Sequence, residues 1–167
     1  MVIPDRINRF IITVKFPAER LRAKTKSDVR FEATTDRCKA LEGADYVMIA
    51  VARKRYPLWE QDFRIPLSYG FKHCLGENGG PGALFHTMRS LDLVIPICRD
   101  VERICPDAWV FNFTNPETRV LHAILHLTKV KAAGFCGGTF HNIRYIENIL
   151  KRPREEFQCS STDPKYN

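Results

Sequence analysis

Residues 46–51 read Tyr-Val-Met-Ile-Ala-Val, an unbroken apolar run in which β-branched residues alternate with others. A run of this length and composition is typical of a strand in a parallel sheet, where helices cover both faces. Two further runs of the same kind follow, AWVFNF at 108–113 and KAAGFC at 131–136. The sequence therefore predicts three buried strands, and the first of them decides the fold class.

Segments with the apolar spacing of helices separate these strands. Asp36 is placed to cap a short helix that Gly43 ends. Residues 29–34 alternate in polarity and predict a fourth strand. Because strands and helices alternate along the chain, we expect parallel crossovers and an α/β fold with flanking helices. Further helices are predicted at 59–69, 84–104, 116–128 and 139–150. The first is interrupted at Pro66, and the second is expected to kink near Pro96.

Composition excludes several classes of protein. The hydrophobic share of 44% and the charged share of 27% are those of an ordinary globular chain. No apolar run approaches the roughly 20 residues of a membrane span, and the N-terminus lacks the pattern of a secretory signal. We therefore expect a cytoplasmic protein without a membrane partner. The six cysteines show no CxxC spacing, which argues against a zinc finger.

Positive charge is concentrated at the start of the chain. The net charge is +7, and residues 1–30 hold eight Lys/Arg against three Asp/Glu, a local excess of five. A nucleic-acid surface would more often interleave aromatic side chains with the basic ones. Residues 17–26 are therefore interpreted as a solvated helix face, and nucleic-acid binding is not expected.

The predicted strands place polar residues at their carboxyl ends. Ligands of open parallel sheets bind at that edge, so the loops after the strands should lie side by side. Asn112 and Asn115 offer amides suited to a polyhydroxylated ligand, or they form an Asx turn that begins a helix. Cys136 can be a nucleophile, a metal ligand or a small apolar residue. Cys98 and Cys105 are expected in the core.

A loop with four glycines covers residues 76–82 and could fold over the strand ends. It lacks the Lys-Ser/Thr of a P-loop and the GxGxxG of a dinucleotide fingerprint. Arg89, on the helix that follows, could reach an anion but is interpreted as an exposed helix arginine. The histidines of the helices and loops show no ligand spacing and are interpreted as structural: His73, His86, His122 and His126.

Five stretches together resemble glycoside hydrolase family 4, from residue 30 to about 152. The sequence of residues 76–89 most resembles the branch of α-galacturonidases and α-glucosidases or α-galactosidases. The stretches are ATTDRCKALEGADYVMIAV (33–51), WEQDFRIPLSYGF (59–71), GENGGPGALFHTMR (76–89), CPDAWVFNFTNPETRV (105–120) and VKAAGFCGG (130–138).

The resemblance implies a Rossmann-like parallel sheet related to that of lactate and malate dehydrogenases. It also implies a redox route to glycoside hydrolysis that needs NAD and a divalent metal, usually manganese. NAD takes a hydride from sugar C3, a base removes the C2 proton, and the group at C1 leaves by elimination. Water then adds and the hydride returns.

The resemblance also implies site residues. Cys136 corresponds to the metal-ligand cysteine, and Asn115 to the amide that meets the sugar and the metal site. Glu77 and Asn78 lie in the loop that approaches the substrate. On the cofactor side, the corresponding residues are Thr34, Thr35, Asp36, Asn112 and Thr114.

Three departures from the family shape the expected domain organisation. No glycine-rich phosphate turn precedes residue 30, Gly137 stands where the family usually has His, and the chain stops before the second metal ligand and the tyrosine base. We expect an internal fragment, truncated at both ends, with little or no turnover. Its parts would be a basic segment (1–29), a partial Rossmann-like domain (30–152) and a polar tail (153–167).

Two other functions stay open at this point, and so does the oligomeric state. A plain 2-hydroxyacid dehydrogenase would need a glycine fingerprint that the sequence does not show. A non-catalytic binding module would use the basic segment. A homo-oligomer like those of the family is also compatible with the sequence.

Overall fold

The computed structural model describes residues 19–26, 28, 30–73, 77 and 79–156. Residues 19–25 form a first helix, α1. The other helices and strands are α2 (Arg37–Leu41), β1 (Tyr46–Ile49), α3 (Arg55–Ser68), α4 (Gly80–Ile104), β2 (Trp109–Asn112), α5 (Glu117–Leu127), β3 (Lys131–Gly134) and α6 (Gly138–Leu150), followed by a short 3-10 helix at Arg154–Glu156.

The three strands form one parallel sheet in the order β1-β2-β3. Ile49, Asn112 and Gly134, the last residues of the strands, are in register with one another. The three carboxyl ends therefore meet at one edge, as the sequence predicts. The α/β class with parallel crossovers is confirmed, because α4 lies between β1 and β2 in the chain and α5 lies between β2 and β3.

Asp36 begins α2 as predicted. Its carboxylate accepts hydrogen bonds from the backbone N–H groups of Cys38 at 2.9 Å and Lys39 at 3.2 Å. Two of the N–H groups that a helix start leaves unpaired are satisfied in this way. Gly43 follows the helix with φ of +70°, a conformation that favours glycine.

The predicted fourth strand is wrong. Residues 30–34 are exposed and form no strand, and Val29 lies outside the described residues. Alternating polarity favours a strand only where a neighbouring strand supplies ladder hydrogen bonds, and no described strand pairs with this segment.

The core lies between one face of the sheet and the helices α4 and α5. On α4, Val94, Cys98 and Val101 are fully buried at the i, i+4, i+7 spacing of a helix face. They pack in one cluster with Val110 of β2 and Ile124 of α5. Cys98 and Cys105 are both buried, which confirms their predicted place in the core.

The other face of the sheet is open in the part of the chain that the structure describes. Tyr46 and Met48 of β1 are 68% and 70% exposed. The ring of Phe135 lies 5.5 Å from that of Phe111 and 5.4 Å from that of Phe113, so the face carries a row of aromatic side chains. The expectation that strands are covered on both faces therefore holds for one face only.

Two helices begin a full turn earlier than predicted. α3 begins at Arg55 and keeps Pro66 inside its last turn. α4 begins at Gly80, within the glycine-rich segment, because Pro81 is tolerated in the first turn of a helix. None of the described helices is long and apolar enough to cross a membrane.

Candidate functional site at the strand ends

A cavity of about 170 Å³ opens at the carboxyl ends of β1 and β2. Residues 50–52, after β1, and residues 113–115, after β2, form one part of its lining. Arg55 from the first turn of α3, Glu77 and His86 of α4 complete the lining. The cavity thus brings together a cation, a carboxylate, an imidazole and the Asn115 residue that the sequence singles out.

Thr114 ties the two strand ends together beside this cavity. Its hydroxyl accepts a hydrogen bond from the backbone N–H of Val51 at 3.0 Å and donates to the carbonyl of Ile49 at 3.4 Å. Only 2% of Thr114 is exposed. The hydroxyl therefore fixes the distance between the loops that carry the lining residues.

Asn112 closes the turn that brings the chain to Asn115. Its side-chain amide donates to the carbonyl of Thr114, and its side-chain oxygen accepts from the N–H of Thr114, both at 3.1 Å. The residue is fully buried. The backbone carbonyl of Asn115 accepts a further hydrogen bond from Ser90 of α4 at 2.6 Å. These contacts hold Asn115 at the cavity without using its carboxamide.

A largely buried ion pair lies next to the His86 side chain. Asp62 of α3 is 5% exposed and accepts a hydrogen bond from the guanidinium of Arg89 on α4. The Nδ1 atom of His86 lies 3.5 Å from the Asp62 carboxylate. The packing of α3 on α4 thus places a carboxylate next to the imidazole that lines the cavity.

The environment of His86 favours the uncharged ring. Burial lowers the pKa of His86 below its usual value and is the largest cause, while the carboxylates of Glu77 and Asp62 oppose it by raising the pKa. Arg89 and Arg55 lower the pKa further through charge repulsion. At neutral pH the imidazole therefore carries one donor and one acceptor nitrogen.

The chain matches the family described as Family 4 glycosyl hydrolase over residues 6–152. The chain belongs to glycosyl hydrolase family 4. The match includes most of the basic segment at the start of the chain, which lies outside the stretches that resemble the family by their motifs.

Curated relatives share a substantial part of the sequence. The α-glucosidase of Erwinia rhapontici is 42% identical over 129 residues, which cover 75% of this chain and 28% of that enzyme. The 6-phospho-β-glucosidase of Escherichia coli is 40% identical over 70% of this chain and 26% of its own length. The chain thus spans less than a third of these relatives.

A solved structure confirms the fold. The 6-phospho-β-glucosidase of Thermotoga maritima, determined with manganese, NAD+ and glucose-6-phosphate, superposes with a TM-score of 0.66 at 24% identity. The superposition covers 84% of this chain and 34% of that enzyme. The predicted Rossmann-like α/β architecture of this family 4 chain is therefore confirmed.

The family residues predicted for the cofactor side lie in two places. Thr34, Thr35 and Asp36 are exposed ahead of α2 and do not line the cavity. The Thr34 hydroxyl accepts from the N–H of Asp36 at 3.1 Å. Asn112 and Thr114 lie at the strand-end edge and use their side chains to fix the backbone. Their predicted cofactor role stays a prediction, and Asn78 lies outside the described residues.

Cys136 is exposed two residues beyond β3, with its Sγ atom 3.4 Å from the backbone N–H of Gly138. It emerges from the strand next to β2, as expected, but it does not line the cavity that contains Asn115. Within the described ranges, no three His, Cys, Asp or Glu side chains are grouped to hold a metal ion. The described residues therefore supply one thiol and do not complete a metal centre.

Sequence reasoning missed the cavity's Arg55 and His86. Arg55 falls in a predicted loop, because the apolar spacing places the start of the helix at residue 59. His86 shows no ligand spacing in the sequence, which favours a structural interpretation. The packing of α3 on α4 brings these groups together, and no local sequence pattern predicts that packing.

Proposed function

We propose that the strand-end cavity is a substrate-facing part of a glycoside hydrolase, whose whole-protein activity is the hydrolysis of O-glycosidic bonds. The supporting observation is the convergence of Asn115, Glu77, Arg55 and His86 at the carboxyl edge of a parallel sheet in a family 4 chain. Ligands of such sheets bind at this edge. Four polar side chains around a small cavity suit a ligand rich in hydroxyl groups.

Asn115 and Glu77 would hold the sugar. A carboxylate accepts hydrogen bonds from hydroxyl groups, while a carboxamide both donates and accepts. The Ser90 hydrogen bond and the buried Asn112 turn keep Asn115 in place before the ligand arrives, which lowers the entropic cost of binding. Asn78, next to Glu77 in sequence, is proposed to take part in the same contacts.

The whole protein is further proposed to use NAD and a divalent metal, usually manganese. Relatives solved with NAD and manganese support this proposal. NAD supplies reversible hydride transfer when it is bound. Cys136 is proposed as one metal ligand, and Thr34, Thr35, Asp36, Asn112 and Thr114 as residues on the cofactor side. The described residues do not complete the metal site.

Sugar binding by the 167-residue chain tests the role of the cavity. Titration with methyl α-D-glucopyranoside and methyl α-D-galactopyranoside, followed by NMR, should shift amide resonances of residues 50–52 and 113–115. Asn115→Ala and Glu77→Gln should each weaken binding by about three- to tenfold, since each removes hydrogen bonds worth roughly 1 kcal/mol. Glu60→Gln, at an exposed position of α3, is the matched control. Absence of binding by the native chain, or equal effects of all three substitutions, would contradict the proposal.

Protein purified from its native source tests the activity. Release of nitrophenol from nitrophenyl α-glycosides should require both NAD and Mn²⁺. Hydrolysis that is unaffected by removing NAD would contradict the redox route. The cytoplasmic location expected from the sequence stays a prediction, and the oligomeric state stays open.

The Cys136 ligand has a readout that does not need activity. Binding of Co²⁺ by a thiolate produces a charge-transfer absorption in the near ultraviolet, which Cys136→Ser should remove and Cys38→Ser should leave. Both cysteines are exposed, so the pair is matched in accessibility. An absorption that survives in Cys136→Ser would remove this residue from the proposed ligand set.

A further inference from the structure

Two histidines lie side by side on the surface of α5. The rings of His122 and His126 are stacked, with their centroids 4.0 Å apart and their planes at 25° to each other. Both residues are exposed, so an ion in the solvent can reach the rings. The sequence favours a structural interpretation of both, because their four-residue spacing lacks the Glu of an HExxH motif. The structure shows instead that neither ring is held in the core.

The hydrogen bond of His126 determines which of its ring nitrogens is free. Its Nδ1 atom lies 2.8 Å from the backbone carbonyl oxygen of His122. Because a carbonyl oxygen can only accept, Nδ1 carries the proton of the uncharged ring, and Nε2 is left with a lone pair. Histidines that bind metals commonly show this arrangement, in which the second nitrogen donates to a carbonyl or a carboxylate.

The distance between the two rings matches the span of one metal ion. Residues four apart on a helix are neighbours on one face, which is why histidine pairs at this spacing bind zinc. Zinc lies about 2.0–2.1 Å from an imidazole nitrogen, so one ion bridges two nitrogens that are up to about 4.2 Å apart. His126 lies in the last turn of α5, where the negative end of the helix dipole favours a cation.

We propose that His122 and His126 form a binding site on α5 for a divalent ion of the zinc class, held by two imidazole nitrogens. Within the part of the chain that the structure describes, no group of three His, Cys, Asp or Glu side chains could hold a metal, so water completes the coordination of the ion. Imidazole favours Zn²⁺, Ni²⁺ and Cu²⁺ over Mn²⁺ and Mg²⁺, which distinguishes this site from the manganese site proposed for the whole protein. The inference does not rest on the proposed function.

Zinc titration of the full chain tests the proposal. Long-range proton–nitrogen NMR spectra of the nitrogen-labelled chain resolve the ring nitrogens of each histidine, and zinc chloride alone is added at pH 7.5. The Nε2 resonances of His122 and His126 should move together and saturate at one ion for the pair. Magnesium chloride at about ten times the zinc concentration should leave both resonances in place, because Mg²⁺ prefers oxygen ligands.

Single substitutions test whether the two rings act as one site. His122→Gln should weaken the zinc response of His126 by at least about tenfold, and His126→Gln that of His122, because the second imidazole binds within the same chain. His141→Gln is the matched control, since the His141 ring is also exposed and its Nδ1 atom also lies close to a backbone carbonyl four residues earlier, that of Gly137 at 2.7 Å. This substitution should leave the response of the α5 pair unchanged.

A further variant separates this site from the proposed thiolate ligand. Cys136→Ser should leave the zinc response of the α5 pair intact, and loss of the response in that chain would overturn the proposal. A ring that responds equally well after its neighbour is replaced would also overturn it. The native chain alone is decisive if a variant does not fold, because rings that respond at different zinc concentrations, or not at all, contradict a shared ion.

Discussion

The hydroxyl of Thr114 and the backbone N–H of Val51 are joined by a hydrogen bond of 3.0 Å, which connects the ends of two adjacent strands where the cavity opens. β1 and β2 pair only as far as Ile49 and Asn112. One residue further, the backbone N–H of Phe113 still donates a hydrogen bond to the Ile49 carbonyl at 2.8 Å. The Thr114 hydroxyl then supplies the next link between the two strand ends. One buried hydroxyl group therefore contributes directly to the geometry of the cavity.

Thr114→Val should destabilise the chain by about 1–3 kcal/mol, because it leaves the Val51 N–H without its partner while preserving the shape of the side chain. The free energy of unfolding from urea titration measures the effect. Thr118→Val is the control, since the Thr118 hydroxyl is exposed and bonds only to the neighbouring Glu117. Equal losses for both substitutions would show that the strand-end hydrogen bond contributes nothing particular.

Substitutions around the cavity should move the pKa of His86 in opposite directions. Glu77→Gln should lower the pKa, since the Glu77 carboxylate raises it, and Arg55→Gln should raise it, since the guanidinium lowers it. NMR titration of the His86 ring protons measures both shifts. Glu60→Gln should leave the pKa unchanged. Shifts of the same sign for Glu77→Gln and Arg55→Gln would place one of these charges away from the ring.

The lowered pKa of His86 also predicts how stability depends on pH. The unfolded chain binds a proton at this residue as pH falls below about 6.5, whereas the folded chain resists protonation until a lower pH. The native state therefore loses stability as pH falls through this window, and the loss ends below the folded pKa. His86→Gln should lack that part of the loss. Urea titrations at pH 7.5 and pH 5.5 compare the two chains, and parallel losses would contradict the assignment.

Much of the fold could be predicted because each strand lies within an apolar run that the sequence shows directly. Residues 46–51, 108–113 and 131–136 each contain a strand, and the parallel order follows from the helices between them. The strand predicted over residues 30–34 is wrong, because polarity alternates there without any described partner strand. Alternation is a local property, whereas pairing is not.

Only the part of the candidate site that is set by local position in the sequence could be predicted. Asn115 lies in the cavity because it directly follows a strand, and that position can be read from the sequence. His86 and Asp62 meet because two helices pack, which depends on every contact between α3 and α4. The same limit applies to Cys136: its strand could be predicted, but its absence from the cavity lining could not.

The two faces of β1 should respond differently to truncation. Ile49 is 2% exposed and belongs to the core, so Ile49→Ala should cost about 2–5 kcal/mol of unfolding free energy. Met48, on the open face, is 70% exposed, so Met48→Ala should change stability by no more than about 0.5 kcal/mol. A large loss for Met48→Ala would show that this face is covered in solution.

The cysteines should divide into reactive and protected groups. Burial raises the pKa of the Cys98 thiol to about 11, with Glu102 adding to the effect, so little thiolate exists at pH 8. Cys38 and Cys136 are exposed. Iodoacetamide should therefore modify Cys38 and Cys136 in the folded chain and reach Cys98 and Cys105 only after unfolding in concentrated urea. Peptide mapping by mass spectrometry locates the modified residues independently of the other cysteines.

Labelling of Cys98 as fast as Cys136 in the folded chain would contradict the packing of α4 in the core, because that thiol is enclosed by the same cluster that holds Val94 and Val101.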